Sequence, residues 1–495
     1  MRKTSLRYAV LPLILFLLAA GPAMAATYCV APQGNDSSLG TEAAPWKTLQ
    51  KVAAAVQPGD TVRIKAGEYF VGPTLTVRQA GTAEKPITYQ VYGDGEVRIT
   101  GSTVLPAGAW THVKGKIYST PISQPALAVF RGDLPLHNPG DRAKIESVDT
   151  MIPNSFYVSK DTLYVWLEDG SDPKNSVMRA APGHVISLHN CHYSVFDGLT
   201  VEYGFNGIKD QGTETHHITI RKCIIRSIAS QGIQPVAKDC VIEENLFQKI
   251  GSNKYEHGIY GSQPGTIIRH NVFEEIAGAG IHQYNQKQPA GGGCEFSGNV
   301  FRKPRKMTVR SAPAGGAYYL DIIAWGEGNN RIFNNVFYGE GKRGGVSLNS
   351  VNNLVAHNTF VGSTYGVGFH AGKAGNQVIN NIFQDAARSF LIWPSDAMPQ
   401  TLDYNLYFNA TATPRWERDG AAYPTFSEYQ QASGETHSRY VDPSLVGPAD
   451  AHLKSGSPAI DAGVSVKDVP ADIEGVPRPR GPAYDCGAYE HKPKP

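Results

Sequence analysis

Seven short stretches of the chain repeat one pattern, in which an asparagine is followed two positions later by an aromatic residue. They are EENLF (243–247), RHNVF (269–273), SGNVF (297–301), FNNVF (333–337), AHNTF (356–360), INNIF (379–383) and DYNLYF (403–408). Successive asparagines are 26, 28, 36, 23, 23 and 24 residues apart. A period in the twenties indicates a solenoid, in which each repeat forms one coil.

A second signal recurs between these stretches, a short apolar run that contains glycine followed by isoleucine or valine. The pairs begin at Gly207, Gly232, Gly258, Gly280, Gly345 and Gly366. Stacked asparagines gain amide hydrogen bonds from coil to coil, and stacked phenylalanines fill a core. The LxxLxL pattern of a leucine-rich horseshoe is missing from these repeats. The sequence therefore predicts an all-β fold, a right-handed parallel β-helix of at least nine coils.

The segments that flank the repeats carry a family resemblance. The opening, YCVAPQGNDSSLGTEAAPWKTLQKVAAAVQPGDTVRIKAGEYF (28–70), predicts an amphipathic capping helix at about residues 48–56. The closing segments LKSGSPAIDAG (453–463) and DIEGVPRPRGPAYDCGAYE (472–490) predict a terminal module. The chain resembles the secreted, pectate-lyase-like right-handed β-helix proteins that act on carbohydrates. This resemblance covers nearly the whole chain after residue 25 and implies a broad substrate class, not one reaction.

Changes in composition divide the chain into five parts. Residues 103–180 are richer in Trp, Tyr and Pro and break the period, which predicts a small inserted β subdomain. The expected parts are a signal peptide (1–25), a cap with the first coils (26–102), the inserted subdomain (103–180), the β-helix repeats (181–410) and the closing module (411–495).

The first residues read as a secretory signal. Arg2, Lys3 and Arg7 precede an apolar run over residues 11–20, and the small residues Ala23-Met24-Ala25 follow it. This order is typical of a cleaved export signal. We expect a secreted or periplasmic protein with no membrane anchor after cleavage, since no later segment has the roughly 20 apolar residues of a membrane span.

Charge and cysteine content restrict the partners. The formal charge is +2, and it becomes about −1 without the three basic residues of the signal, which gives no general attraction for nucleic acid. Six scattered cysteines are too few for a disulfide-stapled fold, and no CxxC pair indicates a zinc site. We expect a monomer whose partner is an acidic polysaccharide held by a local patch.

Strand alternation predicts such a patch. If the apolar residue of each Gly-Ile or Gly-Val pair points into the core, the next residue points outward. The predicted outward column contains Lys209, Gln234, Tyr260, His282 and Ser347. Placing Leu320 inward adds Asp321 to this column, and Tyr284 lies two residues beyond His282. With strands about 4.8 Å apart, the column from Lys209 to Asp321 would span roughly 20 Å, the length of several sugar units.

The longest spacing, between Asn299 and Asn335, contains a basic loop. Its cations are Arg302, Lys303, Arg305, Lys306 and Arg310. Long loops on repeat proteins tend to lie on the binding face. A basic loop beside an aromatic column suits an acidic polysaccharide, although a solvated charged loop is the plain alternative.

The resemblance implies a uronic-acid lyase, a C5-epimerase or a glycoside hydrolase. A lyase must neutralise the uronate carboxylate, remove the C5 proton and protonate the leaving oxygen. Tyr260 with His257 or His282 is the predicted base and acid, and Asp321 would orient a cation or base. Gln234, Tyr284 and Trp325 are predicted to bind sugar, and Lys209 and Arg310 to hold the carboxylate. Tyrosine with a free pKa of about 10 needs nearby cations to lower that pKa, a role given to His282 and Lys209.

Three other functions stay open. A glycoside hydrolase would use two of Asp321, Glu327 and Glu256, with Trp325 as a sugar platform. The Asp-Pro-His-Asp signature of the periplasmic alginate epimerase is missing, which argues against epimerisation. A noncatalytic polysaccharide-binding or envelope protein is the third alternative. No cofactor is predicted with certainty, Ca²⁺ remains possible, and no metal ligands can be assigned.

Overall fold

The computed structural model describes residues 25–137, 145–234, 237–284, 292–305, 320–341, 344–394, 401–410, 413 and 415–492. Within these residues the chain winds into a solenoid whose coils contribute strands to three parallel sheets, called here the first, second and third faces. The predicted all-β parallel β-helix is confirmed. The predicted signal peptide, apart from residue 25, lies outside the described residues.

The first and second faces are joined by two long strands that bend from one face to the other. These strands are Thr61–Phe70 and Ile87–Thr100. The other first-face strands are Thr27–Val30, His192–Asp197, His216–Arg221, Val241–Glu243, Ile267–Arg269, Glu295–Ser297, Arg331–Phe333, Leu354–Ala356, Gln377–Ile379 and Thr401–Asp403. The other second-face strands are Thr200–Gly204, Ile224–Ile228, Leu246–Ile250, Val272–Ile276, Val300–Arg302, Val336–Tyr338, Thr359–Val361, Ile382–Gln384, Leu406–Phe408 and Arg439–Tyr440.

The third face carries the predicted glycine-containing runs. Its parallel strands are Leu75–Val77, Ile186–Leu188, Ile208–Asp210, Ile233–Gln234, Ile259–Tyr260, Ile281–Gln283, Ile322–Trp325, Val346–Asn349, Tyr365–Phe369, Ser389–Trp393 and Trp416–Arg418. The hairpin strand Ala421–Tyr423 adds to the last of them in antiparallel fashion. The isoleucine or valine of each predicted pair lies in one register and is almost fully buried.

Two rows of stacked side chains fill the corner between the first and second faces, as the repeats predict. Each ladder asparagine from Asn245 to Asn405 bonds to the next at 2.9–3.1 Å. The phenylalanine rings from Phe247 to Phe383 stack with centroids 4.5–4.9 Å apart. The residue before each ladder asparagine has φ between 52° and 61°, so a single left-handed residue turns the corner.

Glycine precedes the buried isoleucine because the core leaves no room for a larger residue. A Cβ atom added to Gly258 would lie 2.8 Å from the Phe273 ring and 2.7 Å from the carbonyl oxygen of Gly280. Side-chain atoms cannot approach this closely without displacing the phenylalanine stack. The repeated Gly-Ile pair is therefore a packing requirement of the coil.

Helices close both ends of the core. Helix α1 (Leu49–Ala55) begins after Thr48, whose side chain caps it, and buries Leu49 and Val52 against the first coils. Helix α2 (Phe426–Ser433) packs Tyr429 on Trp416 at the other end. These caps cover the apolar ends that a solenoid would otherwise expose. In the part of the chain that the structure describes, no helix has the length and apolar character required to cross a membrane.

An antiparallel subdomain interrupts the early coils. Its strands are Thr103–Val104, Thr111–Lys114, Ile117–Pro121, Ala128–Arg131, Leu134–Pro135, Ser155–Ser159, Thr162–Trp166 and Met178–Ala181, with short 3₁₀ helices at Ala107–Ala109, Val148–Thr150 and Pro173–Asn175. Asp133 attaches it to the solenoid, because its carboxylate accepts from Tyr203 Oη at 2.6 Å and pairs with Lys249 at 2.8 Å.

The closing segment runs back along the outside of the later coils. It contains a hairpin of Leu445–Gly447 and Asp450–Leu453, which packs on Val336, Ile382 and Leu406. Arg478 is buried in an ion pair with Glu490 at 2.7 Å. The segment thus covers the outer side of the solenoid, whereas α2 covers its end. All six cysteines are buried free thiols.

Candidate functional site

The third face contains the predicted outward column, except that Ile323 takes the place predicted for Asp321. Lys209 pairs with Gln234, and Tyr260 with His282, each in adjacent strands. The next strand contributes Ile323 in register with His282, and Ser347 follows it. Six of the predicted site residues therefore lie on this face, since Tyr284 and Trp325 stand near the far end of the same strands.

Asp321 does not belong to this column, and its predicted placement is wrong. Ile322, not Leu320, is the buried partner of Ile281, so Asp321 occupies the position of the glycine in the other coils. The Asp321 N–H donates to the Gly345 carbonyl at 3.0 Å, and its side chain is buried near Phe301. The residue that points outward beside His282 is apolar.

Tyr260, His257 and His282 form the centre of the site. The Tyr260 and His282 rings meet edge to face with centroids 5.2 Å apart, and His257 stacks on Tyr260 at the same separation. Nε2 of His257 lies 3.0 Å from Nδ1 of His282. His257 and His282 are only 3% and 9% exposed, whereas Tyr260 is half-buried. The predicted proton-transfer residues are therefore in mutual contact.

Two further aromatic residues extend this centre toward solvent. Tyr284 lies 5.4 Å from the His282 ring and 4.9 Å from Trp325, measured between centroids. Trp325 is 42% exposed, an unusual fraction for a large aromatic side chain in this chain. Exposed aromatic faces are surfaces on which the apolar face of a sugar ring packs. We call Tyr260, His282, Tyr284 and Trp325 the aromatic cluster.

Lys209 lies at the other end of the column. Its Nζ donates to Gln234 Oε1 at 3.1 Å, and burial lowers the pKa of its ammonium group. Two coils separate Lys209 from Tyr260, a distance of about 10 Å. Lys209 and Tyr260 therefore face different sugar units of a chain laid along the column.

Burial changes the acid strength of the central residues. It raises the pKa of Tyr260 to about 12, with a smaller contribution from Tyr284, and lowers the pKa of His282 to about 4. The expected lowering of the Tyr260 pKa is thus wrong, because His282 is neutral at pH 7 and Lys209 is too distant. Tyr260 is protonated and His282 uncharged in the resting site.

The carboxylates predicted for a hydrolase are dispersed. Glu256 is buried, and its Oε2 accepts from the backbone N–H groups of Ser252 and Asn253, a turn-capping role. Glu327 is exposed in the turn after the Trp325 strand. Neither occupies the outward column, and Asp321 is at the glycine position.

The basic loop lies partly outside the described residues, as do its predicted cations Lys306 and Arg310. The cations before it have structural partners. Arg302 and Lys303 both bond to Glu274, at 2.6 and 3.1 Å. Arg305 donates to the Gly251 carbonyl at 2.5 Å, which ties the start of the loop to the turn that holds Glu256. The predicted basic patch is not formed by these three residues.

Three polar residues of this surface, Gln231, His370 and His184, are absent from the predicted column. Gln231 accepts from the His257 N–H at 2.6 Å, and Ser347 Oγ lies 2.9 Å from His370 Nε2. Burial and the Lys209 charge lower the pKa of His184 to about 4. The only available signal was the position of Gln231 before a Gly-Ile pair. Across the described ranges, no group of three or more His, Cys, Asp and Glu side chains is arranged to hold a metal ion.

Comparison with known proteins defines the handedness of the solenoid. The family model described as "Right handed beta helix region" matches residues 163–309 and 212–403. The fold is a right-handed parallel β-helix. The predicted handedness is therefore confirmed over the coils that carry the aromatic cluster.

Relatives and solved structures share this architecture at low identity. The lacto-N-biosidase of Bifidobacterium longum subsp. longum is 23% identical over 493 aligned residues, 83% of this chain and 30% of that protein. The structure of XylC with xylose has a TM-score of 0.55 at 13% identity and covers 94% of this chain and 99% of its own. Pectate lyase Pel9A has a TM-score of 0.54 at 17% identity, with coverage of 95% and 98%.

These similarities concern the fold. The chain matches only 16–30% of the length of the curated relatives. At 13% and 17% identity, the two solved structures indicate a common β-helix scaffold, and a shared scaffold does not determine the chemistry of the third face.

Proposed function

We propose that this protein is an exported polysaccharide lyase that cleaves a uronic-acid-containing polysaccharide by β-elimination at the aromatic cluster. The observation that carries this proposal is the contact of Tyr260 with His282 on an outward-facing column that holds no carboxylate from Lys209 to Ser347. Pectate lyase Pel9A has the same fold, which supports chemistry on an acidic polysaccharide.

Tyr260 is the group proposed to move the proton. Its phenolate removes the C5 proton of the uronate, the C5–H electrons form a C4=C5 double bond, and the C4–O bond breaks. The phenol then returns the proton to the departing glycosidic oxygen, so the residue ends in its starting state. A buried tyrosine with a pKa near 12 is a strong base when ionised, although only a small fraction is ionised at neutral pH.

The column extends this site along the polymer. Trp325 and Tyr284 give the sugar at the reacting position an aromatic floor. Gln234 lies one coil from Tyr260 and Lys209 lies two coils away, and together they hold the carboxylate of another acidic unit. The substrate is therefore proposed to be a polymer, bound across several coils.

Glycoside hydrolysis is the strongest competing chemistry, since lacto-N-biosidase is a relative. A hydrolase needs two carboxyl groups flanking the scissile bond, about 5–9.5 Å apart. Glu256 is occupied by backbone N–H groups, and Asp321 is buried at a glycine position. This arrangement favours elimination over hydrolysis.

The test measures two products in parallel. The purified protein is incubated with pectate, alginate, glucuronan and chondroitin, and ultraviolet absorbance of the unsaturated uronate is recorded together with new reducing ends. A lyase yields both signals on at least one polymer. Reducing ends without absorbance would establish a hydrolase instead, and neither signal on any polymer would favour a binding protein.

A further inference from the structure

His257 belongs to a ladder at the turn that leads into the third face. In each coil a side chain accepts a hydrogen bond from a backbone N–H group of the next coil. Asn206 Oδ1 accepts from the Gln231 N–H at 2.9 Å, and Gln231 Oε1 accepts from the His257 N–H at 2.6 Å. His257 Nδ1 accepts in turn from the Ala279 N–H at 2.8 Å. The turn therefore determines which way the His257 ring faces.

This ladder fixes the position of the His257 proton. A backbone N–H can only donate, so Nδ1 of His257 must carry a lone pair, and the ring proton of the neutral imidazole lies on Nε2. That Nε2 atom is 3.0 Å from Nδ1 of His282 and donates to it. Since Nδ1 of His282 accepts, the proton of His282 lies on its own Nε2.

The N–H group thus created on His282 faces the aromatic cluster. Its Nε2 is buried and has no hydrogen-bond partner among the described residues. The rings around it belong to Tyr260, Tyr284 and Trp325, with centroids 5.2, 5.4 and 6.4 Å from that of His282. A buried donor without an acceptor is unfavourable, so this atom is expected to meet an acceptor supplied by a ligand.

We propose that Nε2–H of His282, held in this tautomer by His257, binds the carboxylate of the uronate unit that reacts. The inference rests on the proposed lyase function and gives His282 the task of carboxylate neutralisation. A hydrogen bond to the carboxylate is charge-assisted and withdraws electron density, which acidifies the C5 proton that Tyr260 removes. His282 is then not the base, and His257 is a positioning residue.

The tautomer can be observed without turnover. Long-range ¹H–¹⁵N correlation spectra of protein labelled with ¹⁵N-histidine report which ring nitrogen carries the proton. The His282 signal is assigned by its loss in His282→Phe. The wild type is expected to show the Nε2–H form, and His257→Phe a shift toward a mixture of tautomers. An Nδ1–H form in the wild type would overturn the proposal, whether or not His257→Phe folds.

The affinity for acidic oligosaccharides measures the contribution of the His282 Nε2–H group. The protein is titrated calorimetrically with oligomers of galacturonate, mannuronate and glucuronate and with their carboxyl-reduced counterparts. At least one oligouronate is expected to bind more tightly than its reduced counterpart, and His282→Phe should reduce this preference about ten- to a hundredfold, the value of one charge-assisted hydrogen bond. The part that Lys209 contributes at another sugar unit should remain in His282→Phe, and the control His217→Phe, on the first face, should keep the full preference.

The outcomes separate this inference from the lyase proposal. A carboxylate preference that depends on His282, without any elimination product, would sustain the binding role and reject the lyase. Elimination with a carboxylate preference that is undiminished in His282→Phe would sustain the lyase and overturn the role of His282. Equal binding of acidic and reduced oligomers would likewise overturn it.

Discussion

Two clusters of histidine and tyrosine lie on different faces of the same solenoid. The first-face cluster contains His192, Tyr193, His216 and His217, and the third-face cluster contains His257, Tyr260, His282 and Tyr284. In each, two ring nitrogens approach within hydrogen-bond distance, 2.8 Å on the first face and 3.0 Å on the third.

The clusters differ in burial and in their attachment to the backbone. His217 is exposed and His216 partly so, whereas His257 and His282 are buried. The Ala279 N–H orients the third-face pair, and no backbone N–H bonds to either ring of the first-face pair in the described residues. Identical residue types therefore give a solvated surface in one place and a site with fixed protons in the other.

The largest difference in kcat between variants of the two clusters is expected when a tyrosine is replaced. Tyr260→Phe removes the proposed proton carrier and should lower kcat by about 10²- to 10⁴-fold, the usual contribution of general acid–base catalysis. Tyr193→Phe, which removes the same hydroxyl from the first-face cluster, should leave kcat within about twofold. Initial rates of absorbance increase measure both. Equal rates in wild type and Tyr260→Phe would remove this residue from the mechanism.

The pH dependence of the rate distinguishes the two residue types of the third-face cluster. Because the pKa of Tyr260 is raised to about 12, the phenolate population rises about tenfold for each pH unit in the neutral and alkaline range. The pKa of His282, lowered to about 4, places its protonation well below neutrality. We expect kcat to increase with pH up to the limit of protein stability. A plateau that begins near the ordinary histidine pKa would contradict this assignment.

Replacement of Trp325 is expected to have a smaller effect, which appears in KM and not in kcat. Trp325→Ala removes an exposed ring from the edge of the aromatic cluster and should raise KM about three- to tenfold, consistent with an aromatic contact of about 0.5–1.5 kcal/mol. Leu39→Ala, a change at an exposed apolar residue near the N-terminal cap, is the control. A fall in kcat with unchanged KM would place Trp325 in the chemical step instead.

The smallest effect is expected at the exposed histidine pair. His216→Asn with His217→Asn should change neither kcat nor KM by more than about twofold, because this pair lies on the first face, away from the column. Steady-state kinetics of the double variant test this expectation. A large loss would show that the substrate also contacts the first face.

The scaffold could be predicted because each coil repeats one solution to one packing problem. Asn271, Phe273 and Gly258 recur at fixed offsets, so the ladder, the ring stack and the glycine position can all be deduced from spacing. The column from Lys209 to His282 followed from strand alternation. Asp321 was misplaced because the 36-residue coil removes the period that fixes register, and Leu320 and Ile322 are both apolar.

The protonation states of the site residues are harder to predict from the sequence than the fold. Alternation places Tyr260 and His282 side by side but does not give burial, which decides the direction of their pKa shifts. The tautomer of His282 depends on one N–H group from Ala279, a coil away from His257. Such a chain of hydrogen bonds has no sequence signature, since backbone donors are present at every residue.

The measurement that tests elimination most directly is cleavage in water labelled with oxygen-18. A lyase breaks the C4–O bond without adding water, so the new ends of the oligosaccharides should carry no label by mass spectrometry. One labelled oxygen in every new reducing end would demonstrate hydrolysis and contradict the assignment of Tyr260 and His282 to β-elimination.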